Sequence, residues 1–263
     1  MTTTDAFDHG ASHYDLLVAL NPGYHLELRR AAEVLATRLG DRPGLSTLDL
    51  ACGTGASTRA LLGALPHDSS IVGLDASSGM LRRAAHKDWP ARVRFDQAVI
   101  GELDPDDWGR GSHDGVLACY LFRNVPPERR DQGIAEVRDL LRPGGWLVAM
   151  EYSVAGNRRA RRVWDAVCRG VILPLATLVG GDRHLHRYLW RSVVEFDSVT
   201  TFCDRLAAAG FTDIATRTAG GWQRGVLHTF VARAPEAPAA SAPSRAGAPE
   251  RAHLPEPDDE RAA

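Results

Sequence analysis

The stretch LDLACGTGAST, Leu48 to Thr58, constrains the fold more than any other part of the chain. Its first half is apolar except for Asp49. A strand apolar on both faces needs cover on both, which a parallel sheet between helical layers provides. Gly53 and Gly55 then break the strand, and the small residues from Ala56 onward open a helix. In an open α/β sheet such a loop sits at the carboxyl end of a strand, where ligands bind.

The same unit recurs along the chain. Periodicity and breakers predict helices over Tyr24–Leu39, Ser57–Leu65, Gly79–Ala85, Pro127–Leu140 and Val199–Ala209. They predict strands over Ser46–Asp49, Ser70–Asp75, Val93–Phe95, Gly115–Cys119, Trp146–Glu151, Asp213–Thr218 and Leu227–Ala232. In LLRPGGW, Pro143 and the two glycines after it are expected to end the fourth helix before a strand. The alternation predicts an α/β fold with a doubly wound, mostly parallel, seven-stranded sheet. It breaks between Glu151 and Val199, where Val163, Trp164, Val167, Val171 and Ile172 recur at helical steps. An insertion after the carboxyl end of a strand overhangs the ligand crevice, so residues 152–198 are expected to form a helical lid. Residues 1–233 are expected to make one domain, with 1–40 as an N-terminal helical cap. From Ala234 the chain turns to Ala, Pro and charge, and residues 234–263 are expected to form a disordered tail.

Charge is nearly balanced, 31 Lys and Arg against 33 Asp and Glu, which speaks against nucleic acid as a partner. Cys52, Cys119, Cys168 and Cys203 form no C-x-x-C pair, so neither a metal site nor a disulfide framework is expected, and a reducing cytoplasm fits. The start MTTTDAFDHG lacks the features of a signal peptide, and the run VILPLATLV is too short to span a bilayer.

The glycine loop then narrows the ligand. A dinucleotide site wants a third glycine after Gly53 and Gly55, and Thr58 ends the loop without it. A phosphate-cradling loop wants a lysine, also missing. An adenosine without phosphate, S-adenosylmethionine, fits: Asp49 can accept from its ammonium group while the glycines let backbone pass close. Asp75 ends the next strand, 20 residues beyond Gly55, where a carboxylate can accept from both ribose hydroxyls.

LDLACGTG, GLDASSGML and LLRPGGWLVAMEYS look like successive motifs of class I S-adenosylmethionine-dependent methyltransferases. With RNV at Arg123–Val125, RYLWRSV at Arg187–Val193, and Tyr14-Asp15 and His25 near the N-terminus, the chain resembles the ubiquinone/menaquinone-biosynthesis C-methyltransferases, the UbiE/MenG family. The likeness runs from about Phe7 to Arg233. It departs where Val99-Ile100 replace a polar-then-small pair beside adenine, and where the family's FGLRNV reads YLFRNV.

The resemblance implies a cofactor site of Asp49, Ala51, Cys52, Gly53, Thr54, Gly55, Asp75, Ala76, Met80, Val99, Ile100 and Cys119. It implies S-adenosyl-L-homocysteine as product, Arg123, Asn124 and His25 as catalytic candidates, and Tyr14, Tyr120, Tyr188 and Arg191 as acceptor contacts. Methyl transfer from a sulfonium is an in-line displacement that needs a nucleophile held close in a site without water. For carbon methylation, Arg123 would stabilise a phenolate that pushes electron density onto the ring. The acceptor expected is an aromatic quinol or other isoprenoid-type molecule. An O- or N-methyltransferase of a secondary metabolite, and a cofactor-binding protein without methyl transfer, stay open. So do a homodimer and a peripheral membrane contact through RRARR at Arg158–Arg162, whose simplest reading is a solvated helix face.

Overall fold

The computed structural model describes residues 23–172, 174 and 183–236. Tyr14 and all but the first residues of the expected tail lie outside them. Seven strands form one sheet: β1 (Ser46–Leu50), β2 (Ser70–Asp75), β3 (Val93–Gln97), β4 (His113–Cys119), β5 (Leu141–Tyr152), β6 (Thr212–Thr218) and β7 (Leu227–Arg233), in the order β3-β2-β1-β4-β5-β7-β6. The five strands from β3 to β5 pair in parallel; β7 runs antiparallel to both β5 and β6. Order reverses between β1 and β4, the place where a doubly wound sheet opens its crevice.

The α-helices among the described residues are α1 (Tyr24–Leu39), α2 (Ala56–Ala64), α3 (Ser78–Ala85), α4 (Arg130–Leu140), α5 (Arg158–Val167), α6 (Arg183–Val194) and α7 (Val199–Ala208). Alternation along the strands sorts the core into two layers. Leu117 and Cys119 of β4, with Val148 and Met150 of β5, pack toward Leu28, Leu35 and Leu39 of α1. The intervening Val116, Ala118, Leu147 and Ala149 pack toward Ile134 and Val137 of α4 and Phe202 and Leu206 of α7. Both faces of the central strands are thus dry, as their unbroken apolar runs require.

Two sequence expectations need correction. Helix α4 stops at Leu140, ahead of Pro143, and β5 begins at once at Leu141. The glycines lie inside that strand, where pairing jumps from His113↔Leu141 to Gly115↔Trp146 and Gly144 adopts φ 73°. They make a bulge, not a helix stop. Val171, taken as part of an apolar face, is 48% exposed, because α5 gives way to a π-helical turn at Cys168–Ile172 that rotates it outward.

Candidate active site

The carboxyl ends of β1, β2 and β4 open into a cleft of about 1080 Å³. The loop after β1 forms one wall. Ala51, Gly53 and Gly55 take φ values of 58°, 55° and 89°, so the backbone turns back on itself and the Gly55 amide bonds the Cys52 carbonyl at 2.8 Å. A side chain at Gly55 is excluded twice over, since a Cβ there would come within 2.7 Å of the Trp89 ring. Outside the loop, Lys87 Nζ donates to the Thr54 carbonyl at 2.6 Å.

Asp75 closes the loop from β2. Its Oδ2 accepts the Gly53 amide and its Oδ1 the Ser77 amide, both at 2.8 Å. Ser77 caps α3 by accepting the Met80 amide. Cys52, Thr54, Ala76, Met80 and Ile100 line the same cleft, as does the 41%-exposed Val99. Cys119 reaches it from β4, where burial pushes its thiol, like that of Cys52, well above the ordinary range.

Asp49 is placed differently from the sequence expectation. It does not line the cleft but lies fully buried beneath the loop. Its Oδ2 accepts the hydroxyls of Ser57 at 2.8 Å and Thr58 at 2.6 Å. Burial pushes the carboxyl up to about 7 against the pull of those two bonds. Its Oδ1 is buried without a hydrogen-bond partner among the described residues. Asp49 thus ties β1 to the first turn of α2 and keeps one acceptor in reserve. Ser57 and Thr58 had a legible signal, two hydroxyls in the first turn after a buried acid, that the expected site left out.

The other wall belongs to β4 and the turn after it. Tyr120 leaves the strand with φ 61° and stacks between Tyr24, at 5.6 Å, and Tyr152, at 5.2 Å. Burial drives its phenol well above the usual range, and the neighbouring tyrosines add to that. His25 lines the cleft from α1, its ring edge-on to Tyr24 at 5.4 Å.

Arg123 lines the cleft too, yet is 8% exposed. Its Nη1 donates to Asn124 Oδ1 at 3.1 Å and to Ser192 Oγ at 2.8 Å. Asn124 is pinned in turn: its Nδ2 donates to the Tyr120 carbonyl at 2.7 Å, and its Oδ1 accepts from the Tyr188 hydroxyl at 3.0 Å. Helix α6 therefore meets the Arg123 turn through Tyr188 and Ser192. Arg191, on the same helix, does not join them. Its guanidinium is 67% exposed and pairs with Glu195 at 2.7 Å, one turn along the outer face. Beneath Arg123 lies Glu151, at the end of β5, which sequence reasoning missed although an acid inside the apolar run WLVAMEY is the same signal that marked Asp49.

The cleft suits a ligand with a nucleoside and no phosphate. One loop wall offers close backbone, Asp75 offers carboxylate lone pairs, and an unmet acceptor on Asp49 lies under the floor. An aromatic, cation-bearing wall faces them.

Comparison with known proteins agrees. The model of the ubiE/COQ5 methyltransferase family matches residues 2–229. A demethylmenaquinone methyltransferase of Clavibacter sepedonicus is 35% identical over 220 residues, covering 81% of this chain and 84% of that one. A ubiquinone/menaquinone biosynthesis C-methyltransferase UbiE of Methylobacterium nodulans is 29% identical, covering 82% and 85%. Among solved structures, Haemonchus contortus phosphoethanolamine N-methyltransferase 2 in complex with S-adenosyl-L-methionine superposes with TM-score 0.64 at 16% identity, over 90% of this chain and 60% of that one. The [4+2]-cyclase SpnF gives 0.65 at 16%, over 89% and 95%. A fold shared with a cyclase shows architecture alone; the family match carries the activity.

Proposed function

The chain belongs to the ubiE/COQ5 methyltransferase family, and from that premise we propose that it methylates a ring carbon of an aromatic quinol or related isoprenoid-type acceptor. The protein is an S-adenosylmethionine-dependent methyltransferase. When bound, S-adenosylmethionine supplies an electrophilic methyl group on a sulfonium. The loop amides and Asp75 hold its nucleoside, with Ala51, Cys52, Thr54, Ala76, Met80, Val99, Ile100 and Cys119 shaping the rest of its bed. Asp49 acts from below, through α2 and through its spare oxygen.

One observation carries the acceptor reading: a guanidinium, Arg123, buried at the end of β4 beside stacked tyrosines and on the cleft wall. Its contacts with Asn124, Ser192 and Glu151 leave Nη2 unused among the described residues. A cation fixed there stabilises an aryl oxyanion and so raises electron density at the neighbouring ring carbon. Tyr24 and the edge of Tyr120, whose faces are taken by Tyr24 and Tyr152, border the bed for a flat ring, and Asn124 and Tyr188 hold Arg123 still. His25, at the exposed rim, takes the phenol proton. Helices α5 and α6, within residues 152–198, cover the acceptor end and exclude water.

An isoprenoid tail puts the acceptor in a membrane, and the exposed Arg158, Arg159 and Arg162 of α5 present a cationic face toward an anionic lipid surface. No helix among the described residues is long and apolar enough to cross a membrane. The free cysteines fit a cytoplasmic enzyme.

The test is incubation with methyl-labelled S-adenosylmethionine and a short-chain 2-prenyl-1,4-naphthohydroquinone, with the product read by carbon NMR. A new ring C–CH3 is expected. An O–CH3 product replaces carbon by oxygen methylation, and unlabelled acceptor with no S-adenosylhomocysteine formed removes the quinol reading.

A further inference from the structure

Glu151 has no part in the chemistry above, yet it is a carboxylate with no exposed surface, at the end of β5. Its Oε1 accepts the Phe122 amide at 2.6 Å. Among the described residues its Oε2 has no hydrogen bond, nor has Arg123 Nε, which lies 3.7 Å from it. A shift of well under an ångström joins the two, so an unmet acceptor and an unmet donor of opposite charge face one another behind the cleft wall. On its other side the guanidinium is held by Ser192 and Asn124.

We infer that Glu151 is the positioning residue of Arg123: its charge draws Nε inward and thereby turns the remaining guanidinium face toward the acceptor oxygen. The inference rests on the reading of Arg123 as the group that meets the acceptor. A buried ion pair adds little net stability over an apolar pair of like volume. Retaining one here therefore calls for a use other than holding the fold together. The pair also bridges elements: Glu151 lies near the end of β5, Arg123 follows β4, and Ser192 and Tyr188 belong to α6. Docking of α6 and the aim of the guanidinium are thus one event.

Among the described residues the charged and titratable groups around Glu151 are these. Arg123 faces it from the turn after β4 and Arg130 from α4. The Cys119 thiol stands close on β4, and His228 is its register partner on β7. Burial raises the carboxyl to about 7, while the Arg123 guanidinium, the backbone amides of Phe122 and Arg123 and, least, Arg130 pull it back down. Ionisation, and with it the hold on Nε, thus grows as pH rises across neutrality.

The test compares wild type, Glu151→Gln, Arg123→Gln and the double variant. Gln keeps an acceptor for the Phe122 amide and puts an uncharged NH2 where Oε2 faced Arg123 Nε, removing both the charge and the acceptor on that side. With the prenyl-naphthohydroquinone, kcat of Glu151→Gln is expected to fall about 10- to 100-fold, as for a misplaced catalytic group. Its affinity for S-adenosylhomocysteine should stay within about twofold, and the rise of wild-type kcat between pH 6 and 8 should vanish. In the Arg123→Gln background the second substitution should change nothing. Wild-type kcat and pH profile in Glu151→Gln, or a further about tenfold loss in the double variant, overturns the proposal. The double variant removes both charges, so it remains informative if Glu151→Gln alone fails to fold. NMR of [15N]arginine-labelled protein reads the contact without any acceptor. An Arg123 Nε–H signal, assigned by its loss in Arg123→Gln, should titrate near neutrality in wild type and not in Glu151→Gln; a signal indifferent to the substitution also overturns it. Wild type that transfers no label to the naphthohydroquinone counts against the acceptor reading alone, and the NMR comparison then decides on Glu151.

Discussion

The two walls of the cleft are built by different means. The loop wall is local: Asp49, the glycines, Ser57 and Thr58 are near neighbours in sequence, and Asp75 joins them from the next strand with bonds to backbone amides. The acceptor wall is assembled from distant pieces, Tyr120 to Asn124, Glu151, and Tyr188 with Ser192, joined by side-chain contacts. A local backbone device suits a ligand that never changes. A wall of converging side chains can be retuned without touching the other.

If the walls are separate devices, Arg123→Gln gives the largest effect and a one-sided one. Turnover should fall at least about 100-fold, the scale of a lost catalytic contact, while affinity for S-adenosylhomocysteine stays within about twofold. Stopped assays paired with calorimetry check both numbers. A matching loss of product affinity would break the division.

The loop wall should show itself in the pH dependence of stability. Asp49 titrates at about 7 in the fold against 3.8 free. Its raised value means that the folded protein binds the extra proton between those pH values. The associated stability is complete below about pH 4 and is lost as pH rises through 7, by about 2–4 kcal/mol in the unliganded protein. Subtracting the Tm curve of Asp49→Asn from that of wild type isolates this slope. A flat difference would mean that Asp49 is ionised throughout.

Asp75→Ala comes next. It removes charged hydrogen bonds to the Gly53 and Ser77 amides and to the nucleoside, and should weaken S-adenosylhomocysteine binding by about 1–3 kcal/mol. Turnover at saturating cofactor should change far less, the mirror image of Arg123→Gln. Gly55→Ala should cost about 1–2 kcal/mol of stability, because an L-residue is strained at φ 89° and its Cβ meets Trp89. Chemical denaturation reads it, and an unshifted midpoint would mean the loop can re-form around a side chain.

The same contrast sets what the sequence reveals. The loop wall was legible because apolar strands, turn glycines and acids at strand ends leave signatures a few residues wide. Even there, spacing could not tell that Asp49 faces inward to Ser57 and Thr58 while Asp75 faces the cleft. That depends on which side of the sheet each carboxylate takes. The helix and strand order was readable from periodicity, and the Pro143–Gly145 bulge was not, since proline and glycine punctuate a bulged strand as readily as a helix end. On the acceptor wall, Arg123 and Asn124 came from resemblance, and Glu151 and Ser192 went unmarked because nothing local ties residue 151 to 123 or 192.

Arg191→Ala carries the smallest effect and the sharpest check on that last point. The resemblance offered Tyr188 and Arg191 together as acceptor contacts, and they stand three residues apart on α6, close enough to share a face. Tyr188 reaches Asn124, yet Arg191 turns outward to Glu195 in a pair with both partners more than half exposed. An exposed pair one helical turn apart contributes little, and screening by salt reduces that further. Removing Arg191 should therefore leave Tm within a degree or two, as befits so small a change, and leave kcat for the quinol unaltered. A tenfold loss of kcat at unchanged Tm would bring Arg191 back to the acceptor and imply that α6 rotates when acceptor binds. The acceptor wall would then be a moving part, while the loop wall stays fixed.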